Sequence, residues 1–85
     1  MKTKIMGISI KNRKEKAVLF QAILTEYGCY IQTRLGTINP NCEDSGIILL
    51  QLNCSDDLAT EMTKKLEAID GVLVSLMDLR MSADQ

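Results

Sequence analysis

The longest apolar run of the chain is Gly46-Ile47-Ile48-Leu49-Leu50-Gln51-Leu52-Asn53. It is short, begins at a glycine, contains no proline and ends at an asparagine, which is typical of a buried strand rather than a helix. Successive side chains of a strand point to opposite faces. One face therefore carries Ile48, Leu50 and Leu52, and the other carries Ile47 and Leu49. Both faces need cover, so the question for function is what covers the second one.

The length and composition indicate one globular domain over residues 1–85. Apolar residues make up 46% of the chain and charged residues 25%, which argues against disorder. A chain of this size buries a modest core, so oligomerisation is a natural supplement. The net charge is −1 and the charges are mixed along the chain, so no basic stripe for direct contact with nucleic acid is present.

The sequence also limits the cellular location and the kinds of metal or catalytic site that can be expected. No apolar run approaches the ~20 residues of a membrane span, and the N-terminus has no apolar signal region. The three cysteines form no C-x-x-C pair, and their odd number favours a reducing cytoplasm over a disulfide framework. Histidine is absent, which removes the commonest zinc or nickel ligand and the usual general base. We therefore expect a cytoplasmic protein that holds no cofactor.

The chain divides into two strand–helix–strand halves of similar length, and the apolar run is the first strand of the second half. Helix starts are marked by Asn12, which can form a capping box with Glu15, and by Ser55. Helix ends are marked by Gly28 and Gly71. The predicted elements are a strand over residues 3–11, a helix over 13–27, strands over 29–38 and 46–53, a helix over 56–70 and a strand over 72–79.

The resulting order, βαββαβ, favours a ferredoxin-like sandwich of the α+β class. With right-handed crossovers, each half leaves a gap that a strand of the other half fills. The sheet is then antiparallel in the order 4-1-3-2, with both helices on one face. The apolar run becomes a central strand, and Ile48, Leu50 and Leu52 lie beneath the helices.

The other face of this sheet has no helices, and it determines the expected partner. Alternation places on it Ile5, Gly7 and Ser9, then Ile47, Leu49 and Gln51, with Tyr30, Gln32 and Arg34 at one edge and Leu73, Ser75 and Met77 toward the other. Burying a side chain such as Leu49 is worth roughly 1.5–3 kcal/mol, whereas a monomer would expose a large apolar patch. We expect a homodimer, with a monomer that tolerates these residues as the alternative. The residues of the expected interface are Ile5, Gly7, Ile47, Leu49 and Leu73.

A cationic turn follows the first strand. Lys11, Asn12 and Arg13 stand at a helix N-terminus, where an anion can bind. No glycine lets the backbone wrap an anion there, so a solvated charged cap is the alternative. The turn also lacks the C-x-x-C of a copper chaperone, and the central strands lack the aromatic residues with which RNA-recognition domains stack bases.

Arg34 and Cys42 are the remaining residues with distinctive chemistry. Arg34 is predicted on the open face, where a covering subunit would oblige it to pair with a carboxylate, a carbonyl or an anion. On a solvated edge it would only discourage aggregation. Cys42 lies in a polar loop beside two carboxylates, which would raise its pKa, and it is a metal ligand only if a second subunit contributes others. Cys29 and Cys54 are interpreted as small buried hydrophobes at strand ends.

Five segments together resemble one family. They are Gly7-Ile8-Ser9-Ile10-Lys11-Asn12-Arg13, Leu24-Thr25-Glu26-Tyr27-Gly28, Ile31-Gln32-Thr33-Arg34-Leu35-Gly36, Ser45-Gly46-Ile47-Ile48-Leu49-Leu50 and Ile69-Asp70-Gly71-Val72. In these segments the chain resembles the iron-only hydrogenase system regulators over nearly its whole length. The Arg-x-Gly of the second strand and the glycine-led third strand are the most distinctive parts, and no motif is catalytic.

The resemblance implies an ACT-like domain, similar to the C-terminal sensor domain of the nickel-responsive repressor, that pairs and tetramerises through its sheet. It also implies a transcriptional regulator linked to hydrogenase maturation. At the repressor's His-x-His and Cys positions this chain has Arg34, Gly36 and Cys42, so no nickel site is expected. The first strand begins within the first few residues, so we expect no ribbon-helix-helix domain and no direct DNA binding.

From the residues and the resemblance together, we expect a sensing or interaction module and not an enzyme. It would form a homodimer, and beyond it a homotetramer, through the open sheet face. Any small-molecule effector would bind between subunits, near Lys11, Asn12 and Arg13 or near Arg34 and Cys42. The alternatives are a metal- or redox-responsive sensor using Cys42 at a subunit interface, and an enzyme acting on a small anionic substrate.

Overall fold

The computed structural model describes residues 2–38, 45–80 and 82. In chain order the elements are β1 (Lys2–Lys11), α1 (Arg13–Glu26), a 3₁₀ turn (Gly28–Tyr30), β2 (Ile31–Ile38), β3 (Ser45–Cys54), α2 (Asp56–Glu67) and β4 (Val72–Asp78). The four strands form one sheet in the order β2-β3-β1-β4, and each neighbouring pair is antiparallel. Read from the other edge, this is the predicted order 4-1-3-2, so the ferredoxin-like fold is confirmed.

The central strands β1 and β3 pair along their whole length, from Lys2 opposite Cys54 to Lys11 opposite Ser45. Their residues on the helix side are buried, namely Met6, Ile8, Ile10, Ile48, Leu50 and Leu52. The helices supply the rest of this core, chiefly Phe20, Leu24, Ala59, Met62 and Leu66. The predicted position of the apolar run, central in the sheet with alternate residues beneath the helices, is therefore confirmed.

The observed helix boundaries agree with the predicted ones, but only one of the two predicted N-caps forms. Asn12 precedes α1 in the left-handed region (φ 57°, ψ 51°) and makes no side-chain cap hydrogen bond, so the predicted capping box is wrong. Asparagine is one of the few residues that adopt this conformation readily, and here it reverses the chain from strand into helix. At α2 the prediction is confirmed, because the Leu58 amide donates to Ser55 Oγ over 3.2 Å.

A bulge in β2 changes which of its residues face the helices. Ile31 pairs with Leu52, but Thr33 pairs with Gln51, so the strand gains one residue relative to β3 between these two pairs. The Gln51 side chain of β3 bonds to both β2 residues at the bulge. It donates to Gln32 Oε1 over 3.1 Å and accepts from Thr33 Oγ1 over 3.0 Å. Two residues of β2 therefore stand opposite one residue of β3 on the open face.

Beyond the bulge, the alternation of β2 is the reverse of the one predicted. Arg34 pairs with Leu50 and Gly36 pairs with Ile48, so both lie on the helix side of the sheet. Leu35, which the predicted open-face position of Arg34 would have turned toward the helices, lies on the open face opposite Leu49. Residues 28–30 form a 3₁₀ turn rather than the start of the strand, and the Tyr30 ring packs against the core instead of the open face. The predicted open-face placement of Arg34 is therefore wrong.

A buried ammonium group forms ion pairs at the end of the sheet where β1 begins and β4 ends. Lys4 is 2% exposed and lies on the helix side of β1. Its Nζ donates to Asp56 Oδ1 over 2.6 Å and to the Asp78 carboxylate. These hydrogen bonds, Asp56 first, raise the pKa of Lys4, and the same contact lowers the pKa of Asp56, with the nearby Lys2 ammonium adding to the effect. The two ion pairs of Lys4 link β1 to the start of α2 and to the end of β4.

Candidate functional site

The open face of the sheet carries a continuous set of exposed aliphatic side chains. Ile47 and Leu49 of β3 are 47% and 42% exposed, and Leu73 of β4 is 69% exposed. The sheet register brings them together, because Ser9 of β1 pairs with Ile47 on one side and with Leu73 on the other. The five residues predicted as an interface, Ile5, Gly7, Ile47, Leu49 and Leu73, all lie on this face. Leu35 of β2, which lies on this face beyond the bulge, joins them at 54% exposure.

The open face is almost uncharged. Among its strand residues that the structure describes, the only charged one is Lys11, at the end of β1. The others are aliphatic, glycine, serine, threonine, asparagine, glutamine or methionine. This composition results in part from the bulge in β2, which moves Arg34 to the helix side.

Two hollows shape this face. A cleft of about 460 Å³ lies at its Lys11 end, and its other walls include Ser9, Ser45, Ile47 and Leu73. A smaller hollow, of about 190 Å³, lies over the centre of the sheet. Gly7 lines the second hollow and has no side chain to fill it. The Leu49 side chain stands beside it, 3.7 Å from where a Cβ on Gly7 would lie.

The predicted ligand-binding residues are divided between the two sides of the sheet. Lys11 lines the cleft on the open face. Arg13 and Arg34 instead line one cavity of about 250 Å³ on the helix side, between the start of α1 and the edge strand β2. Asn12 is exposed between them and lines neither space. The structure thus brings together two arginines that the sequence placed in separate candidate sites.

The cysteines give little support to metal chemistry within the described parts of the chain. Cys54 is buried, as predicted, and burial raises the pKa of its thiol. Cys29 is exposed on the 3₁₀ turn, so its predicted burial is wrong. Cys42 lies outside the described residues. Over residues 2–38, 45–80 and 82 there is no group of three or more His, Cys, Asp or Glu side chains that could hold a metal ion.

Neither of the α-helices that the structure describes is long and apolar enough to span a bilayer.

Comparisons with known proteins agree with this architecture. A family model described as "TM1266-like: Iron-only hydrogenase system regulator, putative" matches residues 2–75. The structure of the uncharacterized protein TM1266 from Thermotoga maritima is similar, with a TM-score of 0.86 and 25% identity over 93% of this chain and 98% of that chain.

A more distant likeness concerns the fold alone. A formyltetrahydrofolate deformylase from Pseudomonas putida KT2440 has a TM-score of 0.60 and 16% identity, over 88% of this chain and 28% of that chain. This chain therefore spans little more than a quarter of that enzyme's length. Among curated proteins, no sequence matches this chain significantly.

Proposed function

Because the chain belongs to the TM1266-like family of iron-only hydrogenase system regulators, we propose that it is a non-enzymatic regulatory module that pairs with a second copy of itself through the open face of its sheet. The observation that carries this proposal is the exposed aliphatic set on that face, with Ile47, Leu49 and Leu73 each 42–69% exposed. Exposed apolar patches of this kind mark interaction surfaces on small proteins.

The size of the face is sufficient for a dimer. Strands of 7–10 residues span about 23–33 Å, and four of them spaced about 4.8 Å apart cover roughly 500–600 Å². Two copies would together bury roughly 1,000–1,200 Å², which reaches the lower end of specific protein–protein interfaces.

The chemistry of the face favours a second copy over a charged partner. Apart from Lys11 at its end, this surface can cover an identical surface without burying an unpaired charge, whose desolvation would oppose association. The hollow over Gly7 and the neighbouring Leu49 side chain also give the face a hole beside a projection. An isologous interface needs both features on one surface, because each contact occurs twice around the two-fold axis.

The cleft at the Lys11 end offers a place for an effector. A second copy seated on Ile47 and Leu73 would cover the apolar walls of this cleft and leave Lys11 as its charged group. A small molecule bound there would contact both subunits, so its binding would be coupled to assembly. Since the chain has a net charge of −1 and no basic stripe, we propose that regulation is exerted through protein contacts rather than through DNA. Association into a tetramer is part of the same proposal.

The test is the mass of the protein in solution. Light scattering at micromolar concentration is expected to give at least a dimer. Ile47→Asp should shift it to the monomer while the far-ultraviolet circular dichroism stays unchanged. Val18→Asp is the matched control, since Val18 is a β-branched residue that is 81% exposed on α1, away from the open face. A monomeric wild-type protein, or equal dissociation by both substitutions, would refute the proposal.

A further inference from the structure

The cavity on the helix side of the sheet has the features of an anion site. It lies where α1 begins beside β2 and β3, and two guanidinium-bearing side chains from different elements, Arg13 and Arg34, both line it. Arg34 reaches this side only because of the bulge in β2. The placement is therefore a property of the folded chain and not of a local run of basic residues.

Its charge is not balanced by the described part of the chain. No acidic side chain lines the cavity among the described residues, and neither arginine forms an ion pair with any of them. Arg13 Nε is buried and has no hydrogen-bond partner there. A buried donor without a partner is costly. An anion held between Arg13 and the solvent-exposed Arg34 would give this donor an acceptor.

The cavity walls indicate what kind of anion fits. Phe20 and Ile48 contribute apolar surface, and Gly36 leaves room because nothing lies within 4 Å of where its Cβ would be. The volume of about 250 Å³ is below the roughly 300–1,000 Å³ of pockets for drug-sized ligands. Guanidinium groups bind planar carboxylates through two parallel hydrogen bonds.

We propose that the cavity formed by Arg13 and Arg34 binds a small organic carboxylate, with the carboxylate on the two guanidinium groups and the apolar part of the ligand against Phe20 and Ile48. This site is complete within one chain and lies on the opposite side of the sheet from the proposed dimer face. It goes beyond the proposed function, and either can fail without the other.

The experiment measures binding of benzoate, acetate and inorganic phosphate to the full chain by titration calorimetry at constant ionic strength. Benzoate is expected to bind more tightly than acetate, because its ring reaches the apolar wall, and more tightly than phosphate. Arg34→Gln should weaken benzoate binding roughly tenfold or more, as expected for the loss of a charge-assisted hydrogen bond. Arg34→Lys should recover only part of this loss, because an ammonium cannot form the paired hydrogen bonds.

Lys64→Gln is the matched control, since it removes the same charge from an exposed position on α2 that does not line the cavity. It should leave the affinity unchanged. The proposal is overturned if benzoate does not bind, if phosphate binds as well as benzoate, or if Lys64→Gln and Arg34→Gln weaken binding equally. Light scattering on the same samples reports the dimer separately.

Discussion

Leu73→Ala isolates the contribution of the open face to dimer formation. Leu73 is 69% exposed in the single chain, so its truncation leaves the core almost untouched, and the monomer should lose no more than about 0.5 kcal/mol of stability. In a dimer that covers the face, the exposed part of the side chain becomes buried. Full burial of a leucine is worth roughly 1.5–3 kcal/mol, and 69% of this is roughly 1–2 kcal/mol per copy.

Each contact occurs twice in a two-fold dimer, so the loss in association free energy should be roughly 2–4 kcal/mol, which corresponds to a dimer Kd raised roughly 30- to 1,000-fold. Sedimentation equilibrium over a dilution series measures this Kd directly. Leu19→Ala is the control, because Leu19 is 54% exposed on α1 and loses the same atoms outside the open face. If Leu73→Ala leaves the Kd unchanged, or if Leu19→Ala changes it as much, then the open face is not the interface.

Two further predictions concern stability. Because the Lys4 ammonium lowers the pKa of Asp56, this carboxylate stabilises the fold above its unfolded pKa of about 3.9, and the contribution is lost as pH falls through the lower folded pKa. Urea unfolding should therefore show Asp56→Asn less stable than the wild type near pH 6, with the difference shrinking as the pH falls below about 3.9; a constant difference would contradict this. Gly71→Ala should cost roughly 1–2 kcal/mol, since Gly71 has φ +87° and an added Cβ would lie 3.2 Å from the Lys11 carbonyl oxygen. Gly28→Ala, where a Cβ meets nothing within 4 Å, should cost less, and equal urea midpoints for the two variants would refute the reasoning.

The topology of the sheet could be predicted because its strongest signal, the apolar run, forms a central strand. The buried residues of that strand follow from alternation within the strand itself. Lys4 was missed although the alternation of β1 places it on the same face as Met6 and Ile8. Its partners are separated from it by 52 and 74 residues, and only the folded sheet brings them together. A lysine that alternation places on the core face of a strand thus indicates a buried ion pair, but the pattern does not identify its partners.

The bulge in β2 could not be predicted in the same way. Gln32 and Thr33 are polar, so either alternation of this edge strand leaves an acceptable pattern, and the choice depends on Gln51, which bonds to both. Cross-strand side-chain contacts of this kind depend on the register between two strands and not on either strand alone. The arginine cavity was missed for the same reason, because Arg34 was assigned to the open face and Arg13 to a separate candidate site at the turn before α1.

The bulge also links the two proposals physically. With regular alternation, Arg34 would stand on the open face opposite Leu49 while Leu35 faced the helices. A second copy could then cover the open face only by burying an unpaired guanidinium, at a cost of several kcal/mol. The extra residue at Gln32–Thr33 instead places Leu35 opposite Leu49 and turns Arg34 toward Arg13. One local irregularity therefore keeps the charge of Arg34 off the open face and places it behind the sheet with Arg13. A variant that removes the bulge would disturb dimer formation and carboxylate binding together, whereas Leu73→Ala and Arg34→Gln should each affect only one.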